Sequence, residues 1–194
     1  MKRSEINRAV TEAAEVFAAG GWTLPPQPRW DVTDFGMGDF PQYGLVLINL
    51  AEEPEYCEKL MFAGIGQQTP AHLHGVKKED IICRQGLLCV QVWQGLPGQS
   101  DAPAEVKING QLQQLPAGTL VRLHAGERIT LSPGTGHAFW PESDSCIIGE
   151  VSTANDDLND NFFADPRVGR FSAIEEDEPP LVKLVQEEGI SNPG

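Results

Sequence analysis

Residues 66–86 read GQQTPAHLHGVKKEDIICRQG, and the spacing within this stretch decides the fold. His72 and His74 lie two residues apart, so on a strand their imidazoles point to the same face. Glu79 follows GVKK, a plausible turn, so its carboxylate can return beside them. Two imidazoles and a carboxylate on one face are ligands that a divalent metal ion accepts. Paired histidines on a strand are also common on exposed surfaces, so this pattern alone leaves both interpretations open.

Two glycines extend the pattern beyond the histidines. Five residues separate Gly66 from His72, four separate His74 from Glu79, and six separate Glu79 from Gly86. At every fixed position this spacing resembles the first motif of the cupin superfamily. The resemblance implies a cupin-type antiparallel β-barrel (jelly roll) with His72, His74 and Glu79 as metal ligands.

The second motif of that superfamily is matched more loosely. Gly126, Pro133, Gly136 and His137 have its residue types in its order, but the spacing from Pro to His is one residue short and the usual Asn is absent. His137 is therefore the expected fourth ligand. His124 ends the run LVRLHA before a turn, and we expect it outside the site. Three His and one Glu suit Mn, Fe, Co, Ni or Zn, and the lack of thiolates disfavours a structural zinc site.

The pattern around the motif predicts an all-β domain. From Tyr43, short β-rich runs are separated by Gly, Pro and Asn at roughly regular intervals, which is typical of an antiparallel sandwich or barrel. Apolar residues at three- and four-residue steps predict a helix over residues 3–19, with Ser4 able to cap its start. We therefore expect one domain over 1–194, made of three parts. These are the helix and Pro-rich arm (1–42), the barrel (43–152) and a C-terminal extension (153–194).

The composition excludes several classes of partner. The chain has 194 residues, with 14 Lys and Arg against 28 Asp and Glu, a formal net charge of -14. Such a chain is a poor ligand for nucleic acid or anionic membranes. We find no secretory signal and no apolar run long enough to span a membrane. The four cysteines are scattered without CxxC, as expected for reduced thiols in a cytoplasmic protein.

Three longer strings extend the resemblance over nearly the whole chain. They are HLHGVKKEDI (72–81), GEVSTANDDLNDNFF (149–163) and RFSAIEEDEPP (170–180). With the N-terminal helix and Pro-rich arm, they make the chain resemble the D-lyxose ketol-isomerase family. The resemblance implies a metal-dependent enzyme, typically with Mn²⁺, that interconverts D-lyxose with D-xylulose and often D-mannose with D-fructose. It also implies a monosaccharide substrate, proton transfer through an enediol or a hydride shift, and a homodimer.

The two adjacent lysines have different expected roles. Lys77 lies two residues before Glu79, so it shares the face of Glu79 if the strand has begun there, whereas Lys78 points outward. The lysine of the family motif also falls at Lys77. We expect Lys77 to donate to a substrate oxygen or to carry a proton. A solvated turn lysine is the alternative.

The general base is expected among the acidic residues late in the chain. The resemblance places it at Glu175 or Glu176, provided that FSAIEE folds back across the barrel mouth; a solvated acidic tail is the alternative. Glu150 ends the apolar run CIIGE, where an unpaired acid is costly, and it is a second candidate for the base or a substrate contact.

Two further residues are candidate substrate contacts. Trp140 follows His137 closely and can stack on a sugar ring, although a tryptophan on a strand more often lies in the core. Arg170 can bind a sugar hydroxyl or lie on the surface.

Two other functions share the metal ligands: an iron-dependent cupin dioxygenase and a non-catalytic sugar-binding cupin.

Overall fold

Helix α1 (Arg3–Ala19) forms the N-terminal segment, as the apolar periodicity predicts. The computed structural model describes residues 1–153, 156, 159–169 and 172–188. The apolar face of α1 packs on the outside of a β-sheet, where it forms one of two hydrophobic clusters. The helix residues in this cluster are all buried; they are Ile6, Ala9, Val10, Ala13 and Phe17.

The helix start differs from the sequence prediction. The N-cap is Lys2, without a side-chain cap, so the prediction that Ser4 caps the helix is wrong. Ser4 lies in the first turn instead, and its hydroxyl donates to the carboxylate of Asp177 at 2.7 Å. The helix ends at Gly20, and Gly21 turns the chain with φ of 79°.

The described residues after α1 are mostly strands, which confirms the all-β prediction. A short helix, α2 (Phe40–Tyr43), and a 3₁₀ helix (Val185–Glu187) are the other helical segments among them. The strands are β1 (Arg29–Thr33), β2 (Leu45–Glu52), β3 (Tyr56–Gly64), β4 (His72–Leu73), β5 (Glu79–Gln85), β6 (Leu87–Gln94), β7 (Ala104–Ile108), β8 (Gln111–Leu115), β9 (Thr119–His124), β10 (Arg128–Leu131), β11 (Thr135–Pro141), β12 (Ser145–Thr153) and β13 (Phe162–Phe163).

Two antiparallel sheets enclose the core. The larger has the order β1-β2-β3-β12-β5-β10-β7-β8, and the smaller has the order β13-β4-β11-β6-β9. Side chains alternate across the larger sheet: Leu45 and Leu47 of β2 point into the barrel core, whereas Val46 and Ile48 lie under α1. The larger sheet is therefore buried on both faces where α1 covers it. Its inner face lines the barrel, so it can carry the side chains of a site.

The Pro-rich arm contains a strand that the sequence did not predict. Residues Arg29–Thr33 pair with β2 over their full length, from Arg29 opposite Asn49 to Thr33 opposite Leu45. The larger sheet thus begins before residue 43. Strand β1 adds buried polar side chains to the inner face of the barrel.

The C-terminal extension lies along the start of α1. The Arg3 amide donates to the Glu175 carbonyl at 2.9 Å, and the Glu175 amide donates to the Met1 carbonyl at 2.9 Å. The buried guanidinium of Arg3 binds both Glu176 and Glu187. No helix in the described part of the chain is long and apolar enough to cross a membrane.

Candidate active site

Three histidines meet inside the barrel on the smaller sheet. His72 on β4 and His137 on β11 are directly paired, and His74 follows just beyond the end of β4. All three are buried, and their candidate ligand atoms lie within 4.8 Å of one another. The structure therefore brings together the three histidines that the two motifs singled out.

Main-chain carbonyls orient all three imidazoles. Nδ1 of His72 and Nδ1 of His137 each donate to the carbonyl two residues earlier, at 2.8 and 3.3 Å. Nδ1 of His74 donates to the carbonyl of Asp160 at 2.9 Å. Because a carbonyl oxygen only accepts, these contacts keep the proton on Nδ1 and leave a free lone pair on Nε2. Three imidazoles held in this tautomer are ready to bind a cation.

The histidine environment favours the neutral form. Burial, followed by repulsion from His137 and His74, holds the pKa of His72 well below its usual value. Burial also lowers the pKa of His74, despite the opposing attraction of Glu79. A neutral imidazole is the form that ligates metal, so both rings suit that role near neutral pH.

Glu79 faces two of the histidines. Its Oε1 lies 3.0 Å from Nε2 of His137 and 3.5 Å from Nε2 of His74. Despite the short distance, Oε1 of Glu79 and Nε2 of His137 are not aligned as a hydrogen bond, and both atoms are buried without a partner. Two donor atoms each about 2.1 Å from one cation would lie about 3.0–3.4 Å apart. The spacing and the unsatisfied atoms both fit a shared cation.

Lys77 connects Glu79 to a second carboxylate. Its Nζ lies 2.9 Å from Oε2 of Glu79 and 2.9 Å from Oε1 of Glu150. Lys77 is 4% exposed, whereas Lys78 is exposed and its amide donates to the Thr153 hydroxyl. The two lysines are thus separated as the two-residue step to Glu79 predicts.

Glu150 lies between two ammonium groups. It is directly opposite Lys59 on the neighbouring strand β3, with 3.8 Å between Nζ and Oε1. Glu79, Lys77, Glu150 and Lys59 therefore form a buried row of alternating charge. Burial disfavours charge on Lys77, but Glu79 and Glu150 outweigh it and raise the pKa of Lys77. Burial likewise opposes ionisation of Glu79, but Lys77 and His137 hold the pKa of Glu79 well below its usual value.

A cavity of about 710 Å³, its open mouth included, contains this row and the histidines. Part of the cavity wall is apolar and aromatic, and the residues of this part are Phe35, Leu45, Leu47, Met61, Ile81, Phe139 and Phe163. One polar side and one apolar side suit a monosaccharide, which has hydroxyl groups and C–H faces.

The two acids expected to supply the base lie outside this cavity. Glu175 and Glu176 are both exposed, and neither lines the cavity. The main chain of Glu175 pairs with Lys2, and the Glu176 carboxylate binds Arg3 at 2.6 Å. The described part of the acidic run therefore does not cross the barrel mouth. The carboxylates of Glu176 and Asp177 bind the buried Arg3 guanidinium and the Ser4 hydroxyl instead.

The other candidate contacts have different positions. On β11 the side chains of His137 and Phe139 line the cavity, so the next residue, Trp140, points to the opposite face and is not part of the lining. Arg170 lies outside the described residues. His124 is exposed on β9, away from the cavity.

Five polar lining residues were missed by the sequence reasoning: Asp31, Thr33, Lys59, Thr69 and Asn161. Asp31 and Thr33 alternate along β1 and Lys59 lies on β3, and all three are buried polar residues. A lysine within the apolar run CEKLMFAGI was a usable signal, because an unpaired buried charge is costly. The alternation of Asp31 and Thr33 along β1 was not recognised as a strand pattern, because the prolines before β1 indicate a loop. Asn161 comes from the polar loop after β12.

The charges around the cavity fit a divalent cation. Three carboxylates (Asp31, Glu79 and Glu150) and two ammonium groups (Lys59 and Lys77) line the described cavity, so with neutral histidines the lining has a net charge of 2 − 3 = −1. A bound divalent ion would change this sum to +1. The donor set, three imidazole nitrogens and a carboxylate, is one that Mn²⁺, Fe²⁺, Co²⁺ and Zn²⁺ all accept.

Comparison with solved structures supports the fold. L-ribose isomerase from Cellulomonas parahominis superimposes with a TM-score of 0.69 over 90% of this chain and 98% of that chain, at 20% sequence identity. At this identity the likeness concerns the fold alone, and it agrees with the cupin-type barrel described above.

Sequence comparison is more specific. The D-lyxose/D-mannose isomerase of Serratia proteamaculans is 37% identical over 96% of this chain and 97% of its own length. The protein of the same description from Escherichia coli O157:H7 is 34% identical over 96% and 98%. The D-lyxose ketol-isomerase of Cohnella laeviribosi is 32% identical over 92% and 100%. A family model described as D-lyxose isomerase matches residues 27–188. The chain therefore belongs to the D-lyxose isomerase family and is a sugar isomerase.

Proposed function

We propose that this chain interconverts D-lyxose with D-xylulose, and D-mannose with D-fructose, by proton transfer between C1 and C2 assisted by a divalent metal ion. The descriptions of the Serratia and Escherichia relatives support both substrate pairs. The observation that carries the chemistry is Lys77, held between Glu79 and Glu150 beside three histidines in one cavity.

Four residues would hold the metal ion in this proposal: His72, His74, His137 and Glu79. Bound there, a divalent cation supplies positive charge next to the sugar oxygens on C1 and C2. We propose Mn²⁺ as that ion because the family resemblance implies it. Nitrogen and oxygen donors accept several divalent metals, so availability also decides occupancy.

We assign the base to Glu150 and not to Glu175 or Glu176. Glu150 lines the cavity, and the proposed metal site does not need it as a ligand. Glu79, in contrast, is one of the four proposed ligands. The Glu150 carboxylate removes the proton from C2 of the aldose, and the resulting enediol receives a proton at C1 to give the ketose. Over the same steps O1 gains a proton and O2 loses one, and Lys77 is placed to carry it.

The substrate range follows from which carbons the polar wall contacts. D-lyxose and D-mannose have the same configuration at C2 and C3. A polar row that binds only this end of the sugar, with an apolar wall opposite, would accept both. The additional carbon of mannose would then extend toward the cavity mouth.

A metal-dependent sugar assay tests the proposal. The purified protein is stripped of metal, given Mn²⁺, and assayed with D-lyxose, D-mannose, D-xylose and D-ribose for ketose formation. We expect Mn²⁺-dependent turnover of lyxose and mannose, with deuterium incorporated at C1 of the ketose in D₂O. Absence of metal-dependent turnover with all four sugars would contradict the proposal. Turnover without incorporation of deuterium would indicate a hydride shift instead of proton transfer.

Substitution of the two candidate bases separates their roles. Glu150→Gln should lower kcat by about 10²–10⁴-fold, the usual contribution of a general base, with Mn²⁺ content unchanged. Glu175→Gln is the matched control and should retain wild-type kcat, because Glu175 is exposed outside the cavity. A lowered kcat in Glu175→Gln together with wild-type kcat in Glu150→Gln would instead place the base in the C-terminal acidic run.

We also propose a homodimer, on the family resemblance. The described chain exposes several large apolar side chains, among them Val76 (80% exposed) and Phe162 (49% exposed). Light scattering of the purified protein should give a mass of about twice the 21.1 kDa chain. A mass equal to one chain at all concentrations would exclude the dimer.

A further inference from the structure

One carboxylate from the loop after β12 holds the turn between His74 and Lys77. Oδ1 of Asp160 accepts the amides of Gly75 and Val76 at 2.8 and 2.9 Å, and Oδ2 accepts the amide of Lys77 at 2.8 Å. Asp160 is 8% exposed, so this anion is desolvated and satisfied by three main-chain donors. Such a cluster of amides is a typical anion-binding arrangement, here occupied by a side chain.

The same residue also contacts a candidate metal ligand. The carbonyl of Asp160 accepts from Nδ1 of His74 at 2.9 Å. Asp160 therefore contacts both ends of the His74-to-Lys77 turn, through its carbonyl at the histidine and through its carboxylate at the lysine. Neither contact appears in the motif spacing, because Asp160 lies more than eighty residues later in the chain.

We infer that Asp160 is a positioning residue that sets the imidazole of His74 and the ammonium of Lys77 in one arrangement. The inference rests on the proposed function, in which His74 binds the metal ion and Lys77 carries the proton. A shift of the turn would move Lys77 relative to Glu150, and an error of about 1 Å in such a group can cost on the order of 10²-fold in rate.

The chemistry of the contact requires a carboxylate. Asparagine has the same shape, but it offers one acceptor oxygen and a donor amide. Its oxygen can keep the Gly75 and Val76 amides, and its NH₂ then faces the Lys77 amide, donor against donor. Asp160→Asn should therefore disturb the Lys77 end of the turn and leave the carbonyl contact with His74 in place.

Gly75 supplies an independent test of the same contact. A Cβ added at Gly75 would lie 3.1 Å from Oδ1 of Asp160 and 3.2 Å from the ring of Phe162. These distances are tighter than ordinary van der Waals contact, so Gly75→Ala should push the carboxylate away without changing any polar group. Its effect should be largest at the Gly75 and Val76 amides, which Oδ1 accepts, whereas that of Asp160→Asn should be largest at Lys77.

The experiment compares five proteins: wild type, Asp160→Asn, Asp160→Ala, Gly75→Ala and Asp165→Asn. Asp165 lies in the same segment, and its carboxylate binds Arg167, so it is the matched control. Three quantities are measured on each: amide hydrogen exchange over residues 75–77, Mn²⁺ affinity by calorimetry, and kcat and KM with D-lyxose.

We expect Asp160→Asn to accelerate exchange at Lys77 and to lower kcat by about 10-fold or more, with Mn²⁺ affinity within about 3-fold of wild type. Asp160→Ala should accelerate exchange at all three amides and weaken Mn²⁺ binding by about 10–100-fold, the usual cost of removing a group that orients a ligand. Asp165→Asn should match wild type throughout.

Unchanged exchange and unchanged Mn²⁺ affinity in Asp160→Ala would overturn the inference. If that variant does not fold, unchanged exchange and unchanged kcat in Asp160→Asn and Gly75→Ala would overturn it equally. Exchange and Mn²⁺ affinity do not depend on turnover. Failure of the proposed function, seen as no turnover in the wild type, is therefore distinguishable from failure of this inference.

Discussion

Adjacent residues of the same type have opposite environments in this site. Lys77 is buried between two carboxylates, and Lys78 is exposed one position later. Both lysines precede β5, which starts at Glu79, yet their side chains alternate as strand residues do, with Lys77 on the face of Glu79. The sequence could therefore predict which lysine faces inward.

Lys77→Met should lower kcat by about 10²–10⁴-fold and leave Mn²⁺ binding intact. Without the ammonium the pKa of buried Glu79 rises. A bound cation favours the ionised carboxylate in its place, so Mn²⁺ binding should persist near neutral pH. Steady-state kinetics and calorimetric Mn²⁺ titration measure the two effects. Lys78→Met is the matched control, and an equal loss of kcat in both variants would contradict the assigned role of Lys77.

Phe35 has a strained main chain beside the cavity. Its φ is 55°, in the left-handed region that an aromatic residue rarely adopts, and its ring lies 6.2 Å from that of Phe163. The neighbouring Asp34 is fully buried, and its carboxylate accepts the amides of Gly36 and Gly38 at 3.0 Å. These bonds hold the loop in the conformation that places Phe35 in the cavity wall.

Glycine should be better tolerated than alanine at position 35. In regular structure, glycine normally makes the folded state about 0.5–1 kcal/mol less stable than alanine does. At positive φ the order reverses, because the side chain of alanine destabilises that conformation by about 1–2 kcal/mol. We expect Phe35→Gly to unfold at a higher urea concentration than Phe35→Ala. At Phe162, which does not have positive φ, the order should reverse. If the glycine and alanine variants unfold in the same order at both positions, the main chain of Phe35 is not strained.

The position of the base was the least determined part of the site from sequence. Periodicity gives the face of a side chain, but it does not identify the strand that pairs with it. The apolar run before Glu150 made this residue a candidate, and the pairing of β12 with β3, which periodicity does not predict, brings Lys59 opposite it. The family resemblance implied Glu175 or Glu176, which both lie outside the cavity, with the Glu176 carboxylate bound to Arg3.

At the scale of elements, α1 and the C-terminal extension are joined through Arg3. Its side chain has 0% exposure and binds Glu176, whose side chain is 56% exposed, and Glu187, whose side chain is 24% exposed. Since both carboxylates retain access to water, loss of the arginine leaves no buried unpaired charge. The cost of breaking this contact should therefore be moderate.

Arg3→Met should lower the free energy of unfolding by about 1–3 kcal/mol, the range for hydrogen bonds to charged groups. Arg8→Met, an exposed position on the same helix, should change it by less than about 0.5 kcal/mol. Urea unfolding at pH 7 measures both. Equal effects would mean that the Arg3 contacts contribute nothing specific.

The Arg3 effect should also depend on pH. The hydrogen bond from Arg3 lowers the pKa of Glu176, so the folded state favours the ionised carboxylate. This contribution is present above the unfolded pKa of glutamate, about 4.3, and is lost as the pH falls through the lower folded value. The difference between wild type and Arg3→Met should therefore shrink in acid.

Strand β1 explains why the prediction of elements was incomplete. The strand is five residues long and follows a proline-rich segment, which on local composition indicates a loop. Pairing with β2 overrides that preference. The helix and the strands after Tyr43 were predictable because their periodicity repeats over longer segments.

At the scale of the whole molecule, the site carries little charge in a strongly acidic chain. The net charge is -14, whereas the described cavity lining sums to −1. The acidic surface therefore says little about the site, although it disfavours polyanionic partners. The motif spacing was the informative part of the sequence for function.

Metal binding should stabilise the fold. A ligand that binds only the native state at about 100 times its Kd adds about 2.7 kcal/mol, so Mn²⁺ should raise the Tm of the metal-free protein. His137→Ala should abolish this increase, whereas His124→Ala, which alters the exposed histidine outside the cavity, should keep it. Calorimetric scans with and without Mn²⁺ test the pair. An equal increase in both variants would place the metal ion elsewhere.

The acceptors that hold the imidazoles are main-chain atoms, and this affects how the site tolerates mutation. The carbonyls of Pro70, Thr135 and Asp160 persist whatever side chains occupy those positions. Substitutions at Pro70 and Thr135 cannot delete these acceptors, so a random mutational library should rarely lose ligand geometry there. Asp160 should be more sensitive, because its side chain also holds the turn after His74. Attempts to change the metal preference by directed evolution are therefore better aimed at Glu79 and Lys77, whose side chains set the charge next to the histidines.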